Sequence, residues 1–415
     1  MNIAEYLRRT AVLSPERAAL FLGETCVATY GAFLHQAGQV AAFLQSAGVA
    51  EGAPVAIFMK NVPEYLVVQY GIWMAGAVAV PINAKLHGRE AAWIIDNAEA
   101  EIVFTSPSLT EALEEVGCAA RLVDVTTPEY GAILTGASLT EPVAREGDDL
   151  AWLFYTSGTT GRPKGVMITH KMLRSMALCY FVDADQVSAD DAALYAAPLS
   201  HGSGIYNIMH VMVGARHVCP PSGGFDETEI FDLAAHFGRA HMFASPTMVK
   251  RMTLAAKAAG SRGAGLRSVV YAGGPMYTAD IIEAVDWFGP VFLQIYGQGE
   301  CPMGIAALSR HDVSDRSHPR WRARLGSVGR AQSAVEVMIG GADCKPLPVG
   351  EVGEIMVRGD TVMHGYWKNP EATAAAFTSD GFFKTGDLGA LDGDGFLSIR
   401  GRKKEILVTA GGKNV

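Results

Sequence analysis

The chain has 415 residues, nearly three times a typical domain of roughly 150, so one small module is excluded and two or three packed substructures are expected. Hydrophobic residues make up 49% and charged residues 19%, below the roughly 25% of an average soluble domain, which excludes disorder over most of the length. With 43 acids against 34 bases the net charge is −9, and no basic block exists to follow a nucleic-acid backbone, so no nucleic-acid partner is expected.

The N-terminus, with Arg8, Arg9, Glu16 and Arg17 between short apolar stretches, lacks the apolar run and cleavage site of a secretory signal, and the cytoplasm is the expected compartment. From Thr29 to Phe104 the pattern alternates. A helix is expected over Gly31–Ala47, a strand over Pro54–Met59, a helix over Pro63–Met74 and a strand over Val78–Ile82. The helix Glu90–Asn97 and the strand Ile102–Phe104 follow. Tyr65–Ile82 is the most apolar stretch, but Gln69, Pro81 and the lack of basic flanks make it a buried helix running into a buried strand, not a membrane span. Segment 106–149 is richer in Ser, Thr, Gly and Glu and is expected to be a subdomain seam with one helix near Leu109–Val116.

After the apolar strand Leu150–Phe154, a second alternating series is expected. It comprises the helix Glu227–Phe237, the strand His241–Ala244, a helix capped by Ser245 with Pro246 at its first position, the strand Ser268–Ala272, the helix Ala279–Phe288 and the strand Val291–Tyr296. From about 326 to 403 short strands such as Val335–Ile339 and Glu354–Arg358 suggest a small antiparallel sheet or distorted barrel. The fold class is therefore α/β: two layered αβ subdomains plus a small β-rich, barrel-like piece. The six cysteines are scattered without a CxxC pair, which suits a reducing compartment and structural thiols.

The stretch Tyr155-Thr156-Ser157-Gly158-Thr159-Thr160-Gly161-Arg162-Pro163-Lys164-Gly165 gathers hydroxyls, glycines and two cations immediately after a strand. Glycines let backbone N–H groups close around phosphate oxygens, hydroxyls add donors, and a lysine offsets charge. It is not a Walker loop, because Pro163 replaces the second glycine and Gly165, not Ser or Thr, follows the lysine. A flexible linker has this composition too, but has no need of a Pro-Lys-Gly ending.

This loop resembles the signature of the adenylate-forming enzymes, the superfamily of acyl-CoA synthetases, aryl-CoA ligases, luciferases and peptide-synthetase adenylation domains. The resemblance continues through Tyr271-Ala272-Gly273-Gly274-Pro275, Tyr296-Gly297-Gln298-Gly299-Glu300, Gly326-Ser327-Val328-Gly329-Arg330, Gly353-Glu354 with Gly365-Tyr366-Trp367, Thr385-Gly386-Asp387 and Gly401-Arg402-Lys403-Lys404-Glu405. It implies that residues 1–403 form the large N-terminal adenylation domain, that Lys404 is a hinge, and that 404–415 begin a small C-terminal domain, carrying a further catalytic lysine, that lies mostly outside this chain. The chain is thus expected to be the N-terminal part of a longer enzyme.

The resemblance also implies ATP, Mg²⁺ and CoA as cofactors, a small carboxylic acid as substrate, and an acyl-adenylate as intermediate. By analogy Lys164, Glu300 and His201 are catalytic, and Glu300 is the Mg²⁺ ligand. Thr156, Ser157, Gly158, Thr159, Thr160, Gly161, Gly273, Gly274, Pro275, Tyr296, Gly297, Asp387 and Arg402 hold the nucleotide, with Tyr296 stacking on adenine and Asp387 accepting from the ribose hydroxyls. His201, Ile205, Tyr206, Met209, Gly273, Gly274, Gly297 and Met303 border the acyl pocket. An acidic loop residue, a turn aspartate and a surface arginine are the plainer readings of Glu300, Asp387 and Arg402 taken alone.

Segment 198–202 has no aspartate to pair with an α-ammonium group, which argues against an amino-acid substrate, and Ser200 stands where the family has an aromatic residue. Gly299 replaces the family threonine, removing one hydroxyl contact to the α-phosphate. No G-x-S-x-G elbow and no HExxH pattern occur, against a serine hydrolase and a zinc hydrolase. The leading expectation is an acyl- or aryl-CoA ligase, with carrier-protein loading and a non-catalytic adenylate sensor as alternatives. Arg310–Arg324, with five arginines, is read as either a CoA-phosphate contact or a solvated surface. The acid is left open among aliphatic, alicyclic and aryl classes, and a homodimer is left open.

Overall fold

The computed structural model describes residues 1–156 and 162–403, arranged as three sheets. The first has six strands in the order Arg121–Asp124, Ile102–Thr105, Pro54–Phe58, Val78–Pro81, Leu150–Thr156 and Lys164–Thr169, parallel except for the last pair. The second has nine strands, and its parallel centre runs Phe292–Gln298, Leu266–Tyr271, Ala240–Ala244, Ala192–Leu194, Arg216–Cys219 and Ala18–Leu22. Antiparallel strands Cys301–Leu308 and Arg330–Ala331 extend one edge, and Thr25–Thr29 closes the other.

Burial explains the layering. Helix Pro63–Met74 is apolar all round, with Pro63 at its first turn and almost every residue buried, and it runs into the fully buried strand Val78–Pro81. A helix of that kind needs neighbours on every side. It lies with Tyr30–Ser46, His170–Cys179 and Gly202–Val213 in a core shared by both large sheets, where the Trp73 indole N–H donates to the Ala151 carbonyl at 2.7 Å. Separate cores cover the outer faces: Gly88–Ala98 and Pro107–Glu114 on the first sheet, and Glu227–Phe237, Pro246–Ala259 and Thr278–Phe288 on the second. The helix starts follow local chemistry, as where the Ser245 hydroxyl accepts from the Met248 N–H at 3.3 Å ahead of Pro246. Among the described residues no helix is long and apolar enough to cross a membrane.

Two expectations become more specific. Segment 106–149 is continuous with the first sheet: it supplies Pro107–Glu114, the edge strand Arg121–Asp124 and Pro128–Ile133 before the chain returns to the sheet at Leu150. Its periodicity is weak because these short edge elements bury only two residues each. The β-rich piece is an open four-stranded antiparallel sheet, Val335–Gly340, Gly353–Gly359, Phe383–Leu391 and Leu397–Arg402, whose outer strands do not pair with each other. Ile339, Ile355, Val357, Phe383 and Leu397 seat it on the shared core.

Candidate active site

In open α/β sheets ligands bind beyond the carboxyl ends of the parallel strands. Here the expected site residues gather at that edge of the second sheet. Phe292–Gln298 turns through Gly299 and Glu300 into Cys301–Leu308, so the motif Tyr296–Glu300 is one β-hairpin, closed by the pairing of Gln298 with Cys301.

One side of the hairpin faces the small sheet. Asp387, 4% exposed, pairs with Arg402 across strands Phe383–Leu391 and Leu397–Arg402. Its Oδ1 meets Arg402 Nε at 2.8 Å, while Oδ2 accepts from the Tyr296 hydroxyl at 2.5 Å and from Gln298 Nε2 at 2.6 Å. The Asp387 N–H donates to Thr385 Oγ1 at 3.0 Å, which fixes the carboxylate over the hairpin. Burial, then the Asp387 charge, pushes the Tyr296 phenol well above its ordinary range, so it stays a donor. Tyr296, Asp387 and Arg402 are thus brought together, but in this state Asp387 spends its acceptors on protein donors and not on free solvent.

The other side faces the first sheet. Glu300 Oε1 accepts from the Tyr366 hydroxyl at 2.8 Å, and Lys164 Nζ lies 4.8 Å from the centre of the Tyr366 ring. Thr156 pairs with Lys164 at the base of the signature loop. Tyr366 therefore bridges Lys164 and Glu300. Residues Ser157, Gly158, Thr159, Thr160 and Gly161, and Lys404 with the segment 404–415, lie outside the described residues.

Gly299 has a steric reason. A Cβ there would stand 2.3 Å from the Thr156 methyl and 3.0 Å from the Phe154 ring, so Phe154 and Thr156 fill the space a threonine side chain would need. At Gly297 a Cβ would lie 2.5 Å from the Met303 nitrogen. The hairpin register slips between Tyr296 and Gln298, and Met303, in the extra residues, adopts φ +55°. Such an irregularity re-aims a side chain. The Met303 methyl comes within 2.1 Å of where a Gly202 Cβ would be, so Gly202 makes room for it.

His201 precedes the helix Gly202–Val213, shares a hydrogen bond with Ser200 Oγ at 2.9 Å, and packs edge-on against Phe154 at 5.5 Å between centroids. Burial lowers its pKa, favouring the neutral ring. Ile205, Tyr206 and Met209 are buried on that helix, and Met303 is half-buried. Gly273, Gly274 and Pro275 form an exposed loop after Leu266–Tyr271, with Gly273 at φ +82° and open space at its Cα; a Gly274 Cβ would meet only the Pro246 ring, at 3.8 Å. This loop sits at the same sheet edge without a side chain to bind the hairpin.

Gln298, Tyr366, Phe154 and Phe243 are site neighbours that sequence reasoning did not single out. Gln298 and Tyr366 lie inside the motifs Tyr296–Glu300 and Gly365–Trp367, and that position was the signal available; their acidic partners are 89 and 66 residues away. The Arg310–Arg324 stretch is largely committed: Arg310 to Asp185, Arg316 to Asp286, Arg320 to Asp392 and Asp394, and Arg324 to Asp312 at 3.5 Å. These pairs favour the surface reading over a CoA contact. The six cysteines are free.

This arrangement defines the class: an α/β protein in which a buried carboxylate, Asp387, and the strand pair Thr156–Lys164 at the base of the signature loop lie on either side of one hairpin. A family model described as AMP-binding enzyme matches residues 7–367, and the chain belongs to that family. It is 32% identical over 410 residues to a feruloyl-CoA synthase of Amycolatopsis sp, covering 98% of this chain and 79% of the relative. It is also 32% identical over 417 residues to the 2-succinylbenzoate–CoA ligase of Bacillus licheniformis, covering 100% and 82%. Among solved structures it resembles ATP-bound MatB from Rhodopseudomonas palustris, at TM-score 0.86 and 29% identity over 100% of this chain and 81% of the other. The N-terminal domain of FACL13 from Mycobacterium tuberculosis gives TM-score 0.86 and 28% identity over 96% of this chain and 100% of that domain.

Proposed function

We propose that this chain is an AMP-forming acid–CoA ligase. A carboxylate is a poor acyl donor because oxide would have to leave. The acid oxygen therefore attacks the α-phosphorus of ATP, the bond to pyrophosphate breaks, and the acyl-adenylate forms. The CoA thiolate then attacks the acyl carbon, and AMP leaves. Two anions must meet in the first step, so catalysis is chiefly positioning and charge neutralisation. No protein nucleophile is required.

The observation that carries this reading is that one hairpin, Tyr296–Glu300, ties the Asp387–Arg402 pair to the Glu300–Tyr366–Lys164 group. In this reading Lys164 and the signature loop Thr156–Gly161 face the phosphates, and Tyr296, Gly297, Gly273, Gly274 and Pro275 border the nucleotide. Asp387 holds the ribose. Because its Oδ2 already accepts two protein donors, a ribose hydroxyl reaches the remaining Oδ1 lone pair or displaces Gln298 or Arg402. Mg²⁺ fits at Glu300: one oxygen is held by Tyr366, leaving the other for a cation whose remaining ligands are phosphate and water. Among the described residues no three His, Cys, Asp or Glu side chains gather as an all-protein metal cage. When bound, the ion would neutralise phosphate charge.

The acid lies along His201, Ile205, Tyr206, Met209 and Met303, an apolar lining with neutral polar groups. Residues 1–403 form the adenylation unit, with Lys404 as its hinge by resemblance, and the free thiols suit a reducing cytoplasm. Incubation with ATP, Mg²⁺, CoA and a panel of aliphatic and aryl acids should yield AMP and acyl-CoA in equal amounts. AMP formed only with a carrier protein as acceptor would turn the reading to carrier loading, and no acid-dependent AMP would overturn it.

A further inference from the structure

The helix Gly202–Val213, which carries the expected acyl-pocket residues Ile205, Tyr206 and Met209, packs its side chains against the strand Ala240–Ala244. Alternation sends His241 and Phe243 to one face of the strand, and the i, i+4 spacing places Tyr206 and His210 on one stripe of the helix. The stripes meet in two tiers. In the upper tier Tyr206 stacks on Phe243 with centroids 5.8 Å apart, and the half-buried Met303 and Phe243 both approach Gly202 at the start of the helix. In the lower tier the rings of His210 and His241 lie 4.4 Å apart. Tyr180 closes the floor: its ring is 5.5 Å from Tyr206, and its hydroxyl shares a 2.5 Å hydrogen bond with His241 Nε2.

This floor is polar and incompletely paired. The Tyr206 hydroxyl and His210 Nε2 are both buried and have no hydrogen-bond partner among the described residues, in side chains 3% and 1% exposed. Buried polar atoms are normally satisfied, and leaving one alone is costly. The kind of partner can be specified. His210 Nδ1 lies 2.7 Å from the Tyr206 carbonyl oxygen, which can only accept, so Nδ1 carries the proton. Burial lowers the His210 pKa to about 4, so the ring is neutral and Nε2 presents a bare lone pair. That atom needs a donor. The Tyr206 hydroxyl can donate or accept. The nearby cations Arg267 and Arg310 are turned to Asp185 and Ser268, so a second carboxylate on the substrate would be buried without a counter-charge.

We propose that Tyr206 and His210 read a hydroxyl at the distal end of the acyl group, which donates to His210 Nε2 and accepts from the Tyr206 hydroxyl. The preferred acids are therefore neutral-tailed hydroxy acids, and the ring walls of Tyr206 and Phe243 suit a flat aryl body over a plain alkyl chain or a dicarboxylic acid. The assignment rests on the acid–CoA ligase reading.

The test is calorimetric binding, to the full chain, of three stable aryl-adenylate analogues carrying at the distal position a hydroxyl, its methyl ether, or hydrogen. The hydroxyl analogue should bind about ten-fold or more tightly than either of the others. Tyr206→Phe and His210→Phe should each bring that ratio toward unity; the wild-type ratio stands by itself if either variant folds poorly. Equal binding of the three, or an ether as tight as the hydroxyl, overturns the hydroxyl assignment and leaves the ligase reading intact. Binding by none of the three overturns both.

Discussion

Asp387 already has a structural task, and the proposed ribose contact would draw on the same carboxylate. It holds Tyr296, Gln298 and Arg402 in one place, so Asp387→Asn, which keeps one acceptor and loses the charge, should lower affinity for ATP and acyl-adenylate analogues by about ten-fold or more in calorimetry. Unchanged binding would remove the ribose role. At Glu300, Glu300→Gln retains an amide oxygen for the Tyr366 hydroxyl, so the fold should persist while Mg²⁺-dependent AMP formation falls by about ten-fold or more. Turnover equal to wild type across a Mg²⁺ titration would contradict the ligand assignment. Gly299→Thr, which restores the residue the resemblance leads one to expect, places atoms against Thr156 and Phe154 and should cost about 1–3 kcal/mol of stability in chemical denaturation. Residues whose chemistry is concentrated in short motifs, such as Thr156–Lys164 and Tyr296–Glu300, were legible in the sequence. The bonds of Gln298 and Tyr366 were not, because they join residues 89 and 66 positions apart and exist only once the sheets meet.

Elements with strong periodicity and clear ends were equally legible. Pro63–Met74 and Glu227–Phe237 match their expected bounds, the latter because Asp226 caps one end and Gly238, at φ +72°, the other. The short strands Ala18–Leu22, Ala192–Leu194 and Arg216–Cys219 were not recognised: three to five residues carry too little pattern, and each is stabilised by parallel neighbours distant in sequence. Four histidines are buried on helices and strands of the core: His170, His210, His217 and His241. Burial pushes His170 down to about 3 and His210 to about 4, and holds His217 and His241 well below the ordinary value. The unfolded chain takes up these protons below pH about 6.5 while the native chain does not, so stability is retained above that pH and lost as pH falls toward 4. Each histidine contributes at most about 1.4 kcal/mol per pH unit in that window. Urea unfolding midpoints should therefore drop steeply between pH 6.5 and 4, and a flat profile would show that these rings are not neutral inside.

At the scale of the whole molecule, the site exists because separate sheets present their edges to one hairpin. The carboxyl edge of the second sheet supplies Tyr296 to Glu300, the hairpin of the first sheet supplies Lys164, and the small sheet supplies Asp387 and Arg402. Composition and spacing indicated the α/β class. They could not indicate that the first strand, Ala18–Leu22, joins the second sheet, nor that segment 106–149 completes the first, since both depend on long-range pairing. The most direct measurement of the central claim is exchange of labelled pyrophosphate into ATP by the full chain. The account predicts exchange that requires both Mg²⁺ and a carboxylic acid, because acyl-adenylate formation is reversible. Absence of acid-dependent exchange with every aryl and aliphatic acid tried, or release of ADP in place of AMP, would contradict it.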